Sequence, residues 1–481
     1  LHLCDRRQRQ MCIRDSSMMD SIKSRIHRRV NLDNIRLRRM VYRSNYPELR
    51  FKNIIIDGAN TQQQAYIKKE FHKSDNKEFS YEDLKQGYFR LLSDNMISEI
   101  IPHAIYNPED DTYDLHLKVK LENNFAVRLG GNISTSNSNQ IYLGLSYQDL
   151  NYYAKEFVFD GQLGKVYNNA QFMAKIDFST AIPTSYRFIA SISTFDYFKK
   201  DKLFSRNDKP AFNQKDERFL KLQVGLPFLS SKRAEFGIGI ARIEDKYFQK
   251  SVIDFGNDKF DKSRYDLFGG SISFNGSTLN SRQYPTRGYR EALIAQIFIG
   301  RERFYPGEGA TGNNNKEHHS WLQLSYMKEK YHNMSEHWVL GWYLKALYAS
   351  KNFSENYTAT MMQAGEFSPT QHSKLTYNEA FRANQFVGAG IRPIYRLNQM
   401  FHLRGEFYGF MPIYPIERNS LNKAYYGKAF SKFEYLGEIS VVCQLPFGDI
   451  SAYVNHYSSP KREWNVGLSI GWQLFNYRFI E

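Results

Sequence analysis

Trp464-Asn465-Val466-Gly467-Leu468-Ser469-Ile470-Gly471-Trp472-Gln473-Leu474 decides the fold. Trp464, Val466, Leu468, Ile470, Trp472 and Leu474 are large and apolar, and the residues between them are small or polar. A strand sends alternate side chains to opposite faces, so the segment has one oily face and one wet face. About ten residues suit a tilted bilayer-spanning strand. Aromatic residues stand near both ends, where a membrane interface holds them. The same alternation recurs over most of the chain and points to a transmembrane β-barrel.

Composition agrees. The chain has 481 residues, 42% of them hydrophobic, with a mean hydropathy of −0.58. No stretch approaches the run of about 18 apolar residues that a membrane helix needs. A barrel hides its apolar residues at every second position, so a wet average does not exclude the membrane. The 34 Tyr and 36 Phe would supply aromatic girdles.

Charge is uneven. Of the net +15, about +8 falls in residues 1–50, which carry roughly 13 basic and 5 acidic side chains. No aromatic-basic recognition motif accompanies them, so nucleic acid is not expected as a partner. Residues 1–16 (LHLCDRRQRQMCIRDS) show no hydrophobic period and no signal peptide, and look like translated sequencing-adapter read-through. An export signal is therefore expected outside this sequence. Residues 17–50 form a basic, partly helical connector, with Ile22, Ile26 and Val30 as a weak stripe. Cys4, Cys12 and Cys443 form no ligand cluster and no disulfide framework.

Residues 51–122 form a small α/β domain. Phe51 to Ile56 is a strand closed by Asp57-Gly58. Thr61-Gln62-Gln63-Gln64 fits a capping box opening a helix to about Phe71, and Ser80 caps a second helix. Strands follow at about 97–106 and 112–122. This order resembles a polypeptide-transport-associated (POTRA) domain, which in its families lies in the periplasm before an outer-membrane barrel.

From 123 to 481 the chain is strands and loops. The alternation places strands at about 125–134, 139–148, 155–166, 170–179, 186–197, 217–226, 234–245, 264–276, 289–300, 319–330, 336–349, 384–395, 401–409, 432–443, 449–457 and 464–475. That is an even number, 16, as bacterial barrels require. The longest gaps follow odd-numbered strands, and the short turns carrying or flanked by Pro183, Pro227, Pro393 and Pro446 follow even-numbered ones. Short inner turns and long outer loops are the pattern of an outer-membrane barrel.

Tyr284-Pro285-Thr286-Arg287-Gly288-Tyr289 resembles the Pro-x-x-Gly turn, here Pro285, Arg287 and Gly288, that leads into a strand in the outer-membrane assembly and two-partner-secretion barrels. Those barrels carry a Val-Arg-Gly-Tyr/Phe motif in a loop folded into the lumen. Phe381-Arg382-Ala383-Asn384 stands in the corresponding region without the Gly, and Glu406 shares a wet face with His402, Arg404 and Tyr408. The resemblance implies a lumenal Arg382–Glu406 pair; the plainer reading is that both line a hydrated pore.

With a single POTRA-like domain, the chain also resembles the C-terminal part of Gram-negative patatin-like phospholipases. There a secreted lipase precedes one POTRA domain and a 16-stranded barrel, a type V secretion arrangement. The resemblance implies a non-catalytic translocator and anchor for an upstream lipase. Its implied partners are outer-membrane lipid, an upstream or passenger polypeptide and a second copy joined through the upstream domain. The alternative is an outer-membrane assembly or two-partner-type secretion pore.

No catalytic residue, cofactor or metal is expected in this chain. Gly467-Leu468-Ser469-Ile470-Gly471 formally matches a serine elbow, but a real elbow sits on a strand-to-helix turn. His456 lies in the neighbouring strand, while the register sends Ser469 to the lumen. His318-His319 are adjacent and cannot alone supply spaced ligands, so they are expected in an exposed loop. Gly307 to Asn315 is a flexible outer loop.

Overall fold

The computed structural model describes residues 32–44, 49–71, 78–92, 94, 96–136, 139–178, 182–197, 212–228, 232–249, 259–307, 315–459 and 464–481. Residues 1–31, with Cys4, Cys12 and the Ile22/Ile26/Val30 stripe, lie outside them, as does most of the 307–315 loop.

A basic helix α1 (Leu32–Ser44) precedes the small domain. That domain runs β1 (Arg50–Asp57), α2 (Thr61–Phe71), β2 (Phe79–Ser80), α3 (Tyr81–Leu92), β3 (Ile97–Asn107) and β4 (Thr112–Leu121). Its sheet has the order β2-β1-β4-β3, with β1 and β4 parallel. Ile54, Ile56, Leu115, Leu117 and Val119 send one sheet face against Ile67, Phe71 and Leu91 of the helices. The result resembles a POTRA domain. The cap of α2 falls one residue earlier than the sequence suggested. Asn60 Oδ1 accepts from Gln63 N (2.9 Å), and Gln63 Oε1 accepts from Asn60 N (2.8 Å). Asn binds the third amide on as well as Thr does, so either residue could serve. Ser80 does cap α3, its Oγ accepting from Asp83 N at 3.2 Å.

The remaining strands are β5 (Phe125–Ser134), β6 (Gln140–Leu150), β7 (Ala154–Gly164), β8 (Tyr167–Phe178), β9 (Thr184–Tyr197) and β10 (Asn213–Phe228). Next come β11 (Lys232–Tyr247), β12 (Asp261–Ser277), β13 (Gly288–Tyr305), β14 (Asn315–Asn333) and β15 (Trp338–Ala349). Two short strands, β16 (Gly365–Glu366) and β17 (Arg382–Ala383), lie in the loop before β18 (Gln385–Arg396). Then follow β19 (Phe401–Pro412), a loop hairpin β20 (Ile416–Arg418) and β21 (Ala424–Tyr426), β22 (Glu434–Leu445), β23 (Gly448–Tyr457) and β24 (Trp464–Gly471). Sixteen of these close into one antiparallel barrel, β24 meeting β5.

The outer face is apolar across the middle of the wall: Leu220 and Leu222, Ile238 and Ile240, Ile297 and Ile299, Leu322 and Leu324 are exposed. The alternate positions, such as Gln223, Gln296 and Gln323, are buried inside. The barrel therefore turns its greasy side outward, as a bilayer-spanning barrel must. Toward the long-loop end the outward positions of β10–β14 become charged, with Arg242 Nε on Asp266 (2.7 Å) and Arg264 Nε on Glu244 (2.6 Å). There the strands have left the apolar layer. β14 is 19 residues long and β24 only 8.

One expectation fails at the stretch that opened the sequence reading. Alternation predicts a strand to 475, yet β24 stops at Gly471, whose φ is +112°. A Cβ there would lie 2.1 Å from Gly131 O, so the turn needs glycine. Trp472 and Leu474 do not continue the outer face.

Candidate functional site

The lumen is the candidate site. It is filled by the 350–384 loop, by the turn between β12 and β13, and by residues after β24. The 350–384 loop enters through a helix α4 (Tyr357–Gln363), whose cap Asn356 accepts from Ala359 N at 2.9 Å. Phe367 stacks on Phe410 (ring centroids 5.6 Å) in space left by Gly388, where a Cβ would come within 2.2 Å of its ring. Pro369 O accepts from Arg392 (3.2 Å), and Gln371 donates to Gln283 O (2.8 Å). His372 Nδ1 lies 2.9 Å from Glu438 Oε1, and its ring lies on Tyr453, 3.4 Å between centroids. The innermost point of the loop is thus 369–373.

Below it, the 278–288 turn reaches across the barrel. Asn280 Oδ1 accepts from Thr286 N (3.0 Å) and Arg287 N (2.9 Å). Gly288 takes φ +93°, where a Cβ would lie 2.1 Å from Thr278 O. Tyr284 OH donates to Ser451 on β23 at 3.0 Å. Pro285 O accepts from Arg404 Nη1 at 2.8 Å. Pro285 and Gly288 therefore shape a turn that plugs one end, while Arg287 contributes its backbone amide.

Between loop and turn lies a buried charge cluster from β14, β18 and β19. Arg392 bonds Glu329, Tyr331 and Tyr408, and Arg404 bonds Glu406 and Tyr331. Tyr408 OH donates to Glu406. Two guanidiniums face two carboxylates, so the cluster is balanced, as burial in a low dielectric demands. It ties β14, β18 and β19 together and, through Arg404 on Pro285 O, to the turn that plugs one end.

The Arg382–Glu406 pair implied by resemblance is not what the chain builds. Arg382 Nη2 donates to Glu366 Oε2 at 2.9 Å across the β16/β17 hairpin, and its guanidinium lies over Tyr377. Glu406 is taken by Arg404 and Arg392. Arg382 lies ten residues up the chain from Arg392, and the β18/β19 register brings Arg392, not Arg382, beside Glu406. His402, Arg404 and Tyr408 are on the lumenal face with Glu406, as alternation indicated.

Arg392, Glu329 and the His372–Glu438 contact escaped the sequence. Arg392 and Glu329 sit at wet-face positions of their strands, which was the one available signal. His372 carried none, because loop residues have no period.

The elbow-like Ser469 is buried inside a strand and donates to Asn132 Oδ1 at 2.6 Å. His456 stacks on Trp464 instead. His318 and His319 lie in β14, not in a loop: His318 faces outward and His319 is buried. His319 Nε2 meets Glu302 Oε2 at 2.9 Å. Glu302, Glu317 and His319 bring ligand-type atoms within 4.8 Å of one another. Tyr265 also donates to Glu302 (3.0 Å).

No family model and no curated protein matches this sequence. Solved structures do. BamA from Haemophilus ducreyi lacking POTRA domains 1–3 superposes with a TM-score of 0.59 at 12% identity, over 88% of this chain and 84% of that one. CdiB from Acinetobacter baumannii gives a TM-score of 0.51 at 9% identity, over 88% and 74%. This chain therefore shares the architecture of those proteins: a closed 16-stranded barrel with a small α/β domain before it.

Proposed function

We propose that this chain is an outer-membrane barrel that inserts or exports other polypeptides, an assembly or two-partner-type secretion pore with its POTRA-like domain in the periplasm. The single observation that carries this reading is the closure of the barrel. β24 and β5 share three paired positions, Ser469↔Ser134, Ile470↔Ile133 and Gly471↔Asn132. A barrel that only anchors needs no weak line in its wall. One that must admit a strand sideways does. The fold likeness to BamA and CdiB and the Pro285–Gly288 turn point the same way.

A second reading keeps the barrel as translocator and anchor for an upstream patatin-like lipase. The observation favouring it is the basic helix α1 leading into the POTRA-like domain.

Depletion in the host separates the two. Under the first reading, several outer-membrane or secreted proteins fall together. Under the second, only a lipase activity is lost from the surface. Complementation with a Ser134→Cys/Ser469→Cys chain then tests the seam, because register partners are within disulfide reach. The oxidised chain should fail to complement and recover on reduction, while Ser273→Cys/Ile294→Cys in the wall should complement in both states. Depletion that leaves every envelope and secreted protein unchanged rejects the proposal.

A further inference from the structure

After Gly471 the chain turns into the lumen, and residues 472–481 lie along the wet face of the wall. Their main chain is held by amide side chains. Gln140 grips one residue twice, donating to Leu474 O and accepting from Leu474 N, both at 3.1 Å. Gln296 repeats this further on, donating to Phe479 O and accepting from Glu481 N, again at 3.1 Å. Gln323 donates to Glu481 O at 2.6 Å, and Glu217 accepts from Phe479 N at 2.5 Å. A primary amide matches a peptide group donor for acceptor, so such contacts do not depend on which side chains the bound segment carries.

Two side chains of the segment are seated as well. Phe479 is buried between Phe219 and Phe298, with ring centroids 5.9 and 5.7 Å away. Its space exists because β11 and β12 carry Gly239 and Gly269 there; a Cβ at those positions would come within 2.9 and 3.2 Å of its ring. Phe475 packs on Tyr167 at 5.6 Å. The two seats are four residues apart, about 13 Å in extended chain. Between them Asn476 is held by Gln162 (3.3 Å) and Asn169 (2.6 Å). Glutamines aimed at backbone groups, with glycines cleared for a ring, suit an extended peptide.

We propose that this lumenal amide belt is a binding site for an extended polypeptide segment. The site reads the main chain through Gln140, Gln296 and Gln323, and reads two aromatic side chains four residues apart. Residues 472–481 are its internal ligand and hold the site until an incoming segment replaces them. The proposal rests on the polypeptide-handling reading for the origin of that segment, but the site itself does not.

The test uses the full chain in detergent micelles and a fluorescein-labelled peptide with the sequence of residues 472–481, followed by anisotropy. The unmodified chain should bind it weakly, because its own copy is in place. A chain carrying Phe475→Ser and Phe479→Ser should bind it at least about tenfold more tightly. Adding Gln140→Leu and Gln296→Leu to that chain should remove about tenfold of the affinity. A peptide with both Phe replaced by Ser should not compete. Equal binding to unmodified and emptied chains, or equal binding of the Ser-substituted peptide, overturns the proposal. Should the emptied chain lose the heat-modifiable migration of a folded barrel, hydrogen exchange on the unmodified chain decides. Amides of Leu474, Phe479 and Glu481 should exchange at least about tenfold more slowly than in the free peptide and lose protection when excess peptide is added. Exchange at the free-peptide rate overturns the proposal. Binding without any depletion phenotype would keep this site and reject the polypeptide-handling function; the converse would reject the site alone.

Discussion

Between β13 and β14 seventeen residue pairs join one strand to the next; between β24 and β5 there are three. The difference is one of register. β24 sits high against β5, so below Gly131, whose O accepts from Trp472 N at 2.7 Å, the described residues give β5 no partner on its seam side, while its other side pairs with β6. Phe125, Ala126, Val127, Arg128 and Leu129 are all exposed, on both strand faces. In lipid an unpaired backbone group costs several kcal/mol. The wall is thus secured many times over, and the seam is held by a few bonds and two glycines in special conformations, Gly131 and Gly471. A closed barrel can be uniform in shape and very uneven in strength.

The largest contrast comes from proline. Ile297→Pro removes a ladder donor in a strand paired on both sides, at a cost of about 3 kcal/mol or more, and heat-modifiable migration should be lost. In β5 the groups of Gly131 point to the seam, and by strand alternation so do those of Val127. Val127→Pro should therefore leave a folded barrel. If both substitutions abolish folding, the comparison is wrong.

The lumenal cluster comes next. Glu406→Leu strands two guanidiniums beside one carboxylate and should cost about 3–5 kcal/mol in urea unfolding. The Arg404→Met/Glu406→Leu chain should recover most of that loss. Gly471→Ala, strained at φ +112°, should cost about 1–3 kcal/mol, and seam mobility should rise with it. Ser469→Ala, which removes the 2.6 Å bond to Asn132 across the seam, should cost about 1 kcal/mol. The Gly471 and Ser469 changes should raise solvent exchange in β5 and β24 and leave β13 and β14 untouched.

The wall was legible because alternation is a local signal: each strand shows its two faces within a few residues, as Trp338/Leu340 and Ile141/Leu143 do. What the period could not show was where a strand stops. Trp472 and Leu474 keep the alternation, but Gly471 and Gly131 meet across the seam and turn the chain away. The candidate site was legible only as a face. Glu406, Arg404 and Tyr408 were placed on the wet side correctly, but their partners Arg392 and Glu329 come from other strands, β18 and β14, which alternation within β19 does not reach. Arg382 was matched to Glu406 by motif position. A hairpin inside the loop, β16 with β17, gives it Glu366 instead.

The strand lengths have one more consequence. A bilayer crossing takes about 9–11 residues, and β10 to β14 have 16 to 19, whereas β5, β23 and β24 have 10, 10 and 8. The β10–β14 side therefore carries roughly 20 Å or more of extra strand per crossing. The seam lies on the short side, eight strands round the barrel from β12 and β13.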